Sequence, residues 1–152
     1  MARKALKRRV QSAALPPERA QARRFGKART AQATALTEDY VELIDDLFGS
    51  IGEARPTDIA RRLGVSHATA IKAIARLKRE GFATGRPYRG VFLTEAGQAL
   101  AARVRARHRL VVKVLIALGV PAEAAEGDAE GIEHHVSETT LKAFARFVQR
   151  RS

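Results

Sequence analysis

The sequence predicts a mainly α-helical protein with a small β-wing: a winged helix-turn-helix followed by a helical domain. Three observations carry this prediction. Two short amphipathic stretches meet at Leu63-Gly64-Val65-Ser66, where glycine allows a tight turn and serine can cap the next helix. The hydrophobic period then changes over 82–94, where two short runs flank Pro87 and Gly90. Beyond Thr94, apolar residues return to helical spacing.

Composition sets the outer limits. The 152 residues, 45% of them hydrophobic, can build one compact domain or two small ones sharing a hinge. No run approaches the roughly 20 apolar residues of a membrane span, so a soluble, cytoplasmic protein with no membrane partner is expected. With no cysteine, there is neither a disulfide framework nor a thiolate site, and any metal must be held by oxygen and nitrogen.

The charge of +12 is unevenly distributed: residues 1–30 carry ten Lys/Arg against the single acid Glu18. So basic a segment, poor in large apolar groups and interrupted by Pro16-Pro17, is expected to be a largely disordered arm over 1–35. Transit peptides are usually Ser-rich, whereas only Ser12 occurs in this stretch, so an arm that neutralises phosphates fits better.

The elements follow in order. Tyr40, Leu43, Ile44 and Leu47 form an apolar stripe, with Thr37 as the expected N-cap and Gly49 as the stop. Asp39 and Glu42 stand three apart on a neighbouring face. Thr57 is expected to cap a short helix packing Ile59, Ala60 and Leu63; Ser66 caps a second, packing Ala70, Ile71, Ile74 and Leu77 and ended by Gly81. His67, Ala68, Thr69, Lys72 and Arg76 then remain, with Ser66, for the groove side of a DNA-reading helix. Phe82 to Arg86 and Val91 to Thr94 read as the strands of a wing whose Arg86 and Arg89 meet backbone phosphate or the minor groove. Thr94 caps a long helix to Leu118, with Val104, Leu110, Val111, Val114, Leu115 and Leu118 able to pack and Arg103, Arg105, Arg107 and Arg109 exposed around His108. Pro121 opens the next helix, and Ser137 caps a last one with Leu141, Phe144, Phe147 and Val148 on one side as core or dimer seam.

Glu130-Gly131-Ile132-Glu133-His134-His135 places Glu130, Glu133 and His134 at i, i+3 and i+4, so two carboxylates and an imidazole share one helical face. Taken alone, such a cluster is more often a solvated helix end than a metal site.

The chain resembles the manganese transport regulators, the short branch of the diphtheria toxin repressor family. The resemblance runs from about Leu36 to Arg150. It rests on Thr37-Glu38-Asp39-Tyr40-Val41-Glu42, the helix-turn-helix, Tyr88-Arg89-Gly90-Val91-Phe92-Leu93-Thr94, Arg107-His108 and Glu130 to Ser137, all in family order. It implies a DNA-binding domain over 36–94 and a helical dimerisation and metal-binding domain over 95–152. It also implies a binuclear Mn²⁺ site in each subunit, built from Asp39, Glu42, His108, Glu130, Glu133 and His134. His135 is not carried over and is expected to play a supporting or structural role. Many relatives carry proline where Ala68 stands, which leaves base readout open.

The chemistry of the residues agrees: four carboxylates and two imidazoles suit Mn²⁺ or Fe²⁺. The iron-responsive branch has Met and Cys where Asp39 and Glu130 stand. The expectation is a manganese-dependent repressor that binds a palindromic operator in double-stranded DNA as a homodimer. An iron-responsive regulator is the alternative, followed by a binuclear metallohydrolase, for which no separate nucleophile or acid-base group is evident.

Overall fold

The computed structural model of the chain describes residues 14–85 and 89–151. The first thirteen residues of the basic arm, and Arg86, Pro87 and Tyr88 of the wing, lie outside them. Six helices and two strands occur among the described residues: α1 (Glu18–Ile51), α2 (Pro56–Leu63), α3 (His67–Arg79), β1 (Ala83–Gly85), β2 (Val91–Leu93), α4 (Glu95–Ala117), α5 (Ala122–Ile132) and α6 (Glu138–Gln149). The chain divides into two compact units, residues 1–30 and 31–152.

In the first unit, the disorder expected across the arm is replaced by helix from Glu18 onward. Charge is not what decides this segment. Ala20, Ala22 and Ala28 are the strongest helix formers, and Pro16-Pro17 stands just before the helix, where the Pro17 carbonyl accepts from the N–H groups of Ala20 and Gln21 at 2.9 and 3.0 Å. Leu15 and Phe25 are exposed.

In the second unit, Ala31, Ala33 and Ala35 carry α1 through Thr37. Thr37 therefore has no helix end to cap. The helix likewise passes Gly49 and stops at Gly52, whose φ of 76° is the left-handed conformation that glycine adopts without strain. At α2, Pro56 occupies the first helical turn, where its missing N–H costs nothing; the start thus falls ahead of Thr57, with Arg55 at the cap position. Gly64 makes the turn at φ 68°, and Ser66 caps α3 by accepting from the Thr69 N–H at 3.1 Å.

One core joins α1, α2, α3 and the wing through Val41, Ile44, Leu47, Ile59, Ala70, Ile74, Leu77 and Val91. Ile71, expected in it, is exposed because a one-residue step from Ala70 turns it about 100° off the buried stripe. The strands pair antiparallel with Thr84 opposite Phe92. The Val91 N–H donates to the Ala54 carbonyl at 2.8 Å, which docks the wing, and the Thr94 N–H donates to the Phe82 carbonyl at 3.0 Å, which extends the pairing by one residue.

Thr94 caps α4 as expected, accepting from the Gly97 N–H at 3.1 Å. A second core packs α4 on α5 through Val111, Val112, Ala125 and Ala129, with Phe144 of α6 against it. Leu118 falls at the C-cap and is exposed; after the turn at Gly119, Val120 packs against this core instead. Pro121 stands before α5 as its cap rather than inside its first turn.

Candidate metal centre and nucleic-acid interface

Three segments of the second unit supply the acidic and imidazole groups. Asp39 and Glu42 lie about one turn apart on α1, and His108 is carried by α4. Glu130 lies in the last turn of α5, which ends at Ile132. Glu133 forms the C-cap with dihedrals still helical, at φ −57° and ψ −31°, so the i, i+3, i+4 relation of Glu130, Glu133 and His134 survives past the helix end. The His135 N–H donates back to the Ile132 carbonyl at 3.0 Å, and its side chain is exposed.

The predicted residues meet. His108 Nδ1 lies 2.7 Å from Glu133 Oε2 and 3.6 Å from Glu130 Oε1, and these three side chains form a group whose ligand atoms fall within 4.8 Å of one another. His134 Nε2 lies 3.0 Å from Asp39 Oδ1 and 3.5 Å from Glu133 Oε1. Glu42 joins through an acidic cleft of about 300 Å³ that it lines with Asp39, Asp46 and Glu130. Asp46 is itself bound by Arg105, whose other guanidinium nitrogen holds Asp45 at 2.8 Å, so Arg105 is committed to α1 rather than to solvent.

Two carboxylates beside the imidazoles escaped the sequence-based expectation. Glu38, almost fully buried, lies 2.6 Å from His134 Nδ1 and is also bound by Arg107. Glu126 Oε2 lies 2.7 Å from His108 Nε2. Spacing could have found both: Glu38 stands four residues before Glu42, and Glu126 four before Glu130.

Burial and charge set the ionisation. Burial pushes the Glu133 carboxyl up to about 7 against the pull of His108 and His134. Asp39 and Glu38 raise His134 to about 10 despite its burial. Burial, then the charges of Glu130 and Asp46, raise Glu42. For Glu38 the burial penalty is outweighed by His134 and Arg107, and its carboxyl is lowered. Glu133 Oε1 and His134 Nε2 are buried without a hydrogen-bond partner, a rare condition for polar atoms. Two such orphaned atoms amid oxygen and nitrogen groups, with no sulfur, fit a hard divalent cation.

The residues expected to face a groove are exposed on α3: His67, Ala68, Thr69 and Lys72. Ser66 is spent on its cap, and Arg76 Nε bonds Glu80 Oε1 at 2.7 Å. Arg89 is exposed on the wing; Arg86 lies outside the described residues.

Residues 32–91 match the family described as iron dependent repressor, N-terminal DNA binding domain, and residues 94–152 match its metal binding and dimerisation domain. The chain belongs to the iron-dependent repressor family. It is 51% identical over 126 residues to the transcriptional regulator MntR of Escherichia coli O6:H1, covering 83% of this chain and 81% of that one. Identity to the HTH-type transcriptional regulator MntR of Bacillus subtilis is 35%, covering 76% and 82%. Among solved structures it is similar to a manganese-dependent transcriptional repressor in complex with manganese, at 28% identity and a TM-score of 0.68, covering 74% and 52%. It is also similar to IdeR of T. acidophilum, at 30% and 0.63, covering 72% and 53%. The chain thus spans about half the length of those two structures. The resemblance to the manganese transport regulators is borne out, and the chain is a metal-dependent, DNA-binding transcriptional regulator that dimerises. It is not an enzyme, which sets aside the hydrolase alternative. Among the described residues, no helix is long and apolar enough to cross a membrane.

Proposed function

We propose that this chain is a manganese-dependent repressor of metal-homeostasis genes, acting in the cytoplasm, in which metal promotes binding to a palindromic operator. The observation that carries the reading is the convergence of Asp39 and Glu42, which precede the helix-turn-helix, with His108, Glu130, Glu133 and His134, which follow it. These six residues are the proposed ligands of two Mn²⁺ ions per subunit. The functional parts are a basic arm over 1–35, a reading head over 36–94 and a dimerisation and metal-binding domain over 95–152.

A bound divalent cation supplies positive charge that relieves repulsion among the carboxylates. The side chains do the rest. Asp39 and Glu42 anchor α1, whose Val41, Ile44 and Leu47 are packed in the same core as Ala70, Ile74 and Leu77 of α3. His108 and Glu133 anchor α4 and the end of α5. Closing the cluster fixes the reading head relative to the dimerisation helices, and two subunits then present their α3 helices to successive major grooves. His67, Ala68, Thr69 and Lys72, with Arg76 once released from Glu80, are the proposed base and phosphate contacts of α3, held by the Ser66 cap. Arg86 and Arg89 serve the wing.

The donor set favours manganese over iron, since Asp39 and Glu130 offer hard oxygen at the two positions where the iron-responsive relatives offer sulfur. The test is operator affinity measured against buffered free Mn²⁺ and anaerobic Fe²⁺. Affinity that rises with Mn²⁺ is expected; affinity indifferent to both metals would sink the reading.

A further inference from the structure

His134 has its two ring nitrogens in different company. Nδ1 lies 2.6 Å from Glu38 Oε2, and the same carboxylate is bound by Arg107. Nε2 is buried, lies 3.0 Å from Asp39 and 3.5 Å from Glu133, and has no hydrogen-bond partner. A neutral imidazole has one lone pair to offer, and the hydrogen bond made by one nitrogen decides which nitrogen offers it. A carboxylate exposed to only 4% of its surface is costly unless it is paired, and Arg107 supplies that pairing across 69 residues of sequence.

We infer that Glu38, held by Arg107, is a positioning residue for His134: it accepts the Nδ1 proton and leaves Nε2 as the atom presented to Asp39 and Glu133. The other tautomer would point an N–H at the acidic groups and leave Glu38 facing a ring nitrogen with no proton to donate. His108 has a similar carboxylate in Glu126, but that side chain is 62% exposed, so water can replace it. Water cannot readily replace Glu38. The inference rests on the proposed metal reading, and the experiment separates the two.

Mn²⁺ affinity of the full chain is measured by calorimetry without DNA for the wild type, Glu38→Ala and Glu38→Gln, with circular dichroism to establish folding. Ring ¹⁵N shifts of histidine-labelled protein are recorded with Cd²⁺ as a diamagnetic probe. Glu38→Ala is expected to weaken Mn²⁺ about 10- to 100-fold while the chain stays folded. Glu38→Gln keeps the shape and a neutral acceptor and should lose less; if the alanine variant unfolds, weakened Mn²⁺ binding by the folded glutamine variant carries the test. In the Cd²⁺ form, His134 Nδ1 should remain protonated. Wild-type affinity in both folded variants, or Cd²⁺ on Nδ1, would overturn the role of Glu38. Failure of the wild type to bind Mn²⁺ would overturn the metal reading itself, and this inference with it.

Discussion

Gly97, in the first turn of α4, lies against the Phe82 carbonyl so closely that a Cβ there would stand 2.1 Å from that oxygen. The obstacle is backbone, which cannot swing away as a side chain can. The same carbonyl accepts from the Thr94 N–H, so the contact seats the wing on the start of α4. Gly97→Ala is therefore expected to destabilise the chain by about 1–3 kcal/mol, the usual range for overpacking. Denaturant unfolding of the metal-free protein measures it; an unchanged midpoint would mean that the close approach is not maintained in solution.

Glu133 is fully buried, and burial pushes its carboxyl up to about 7, so the ionised form is disfavoured in the metal-free fold and its proposed role is metal capture rather than stability. Glu133→Ala should leave a folded dimer and abolish Mn²⁺-dependent operator binding. The rise in Tm that saturating Mn²⁺ produces in the wild type should vanish with it. Operator binding that stays at the activated level, with and without Mn²⁺, would refute the switch.

Residues 1–30, the first compact unit, hold most of the basic arm. The arm is helical from Glu18, with Arg19, Arg23, Arg24, Lys27 and Arg29 on that helix. Deletion is expected to weaken DNA binding across all sequences alike. It should also flatten the plot of log affinity against log salt, by roughly 0.9 for each phosphate that the arm neutralises. An unchanged slope would leave the arm without a role in binding.

The proposed preference for Mn²⁺ over Fe²⁺ rests on Asp39, beside His134, and Glu130, beside His108. Asp39→Met with Glu130→Cys replaces two hard anionic oxygens by softer sulfur, removing one formal negative charge if the cysteine binds as thiolate and two if it stays protonated. Activation of operator binding by Mn²⁺ should fall relative to anaerobic Fe²⁺, with little change in the thermal stability of the metal-free protein. A constant Mn²⁺ to Fe²⁺ ratio would remove these positions from the account of selectivity.

What could be read from the chain alone was whatever a few neighbouring residues decide. Ser66, Thr94 and Ser137 cap helices because their side chains reach an N–H three residues on, and Gly64 turns the chain because glycine bears positive φ without strain. The spacing of Glu130, Glu133 and His134 likewise needed only the helical repeat. Local reading failed where two local signals competed: in the arm, charge and prolines argued for disorder while alanine content carried the helix, and Thr37 lost its end to cap. It had no means of weighing Ile71 against Ala70, since both are apolar and only the packing partners distinguish their faces. Helical spacing could mark Glu38 and Glu126 as candidates, but which imidazole each one meets was decided by the tertiary structure. Glu38 meets His134 across 96 residues and Arg107 across 69, and nothing within a helical turn of any of them encodes that meeting. Their pairing follows from where the two cores place α1, α4 and the end of α5, and a buried carboxylate then takes the donors that this packing brings within reach.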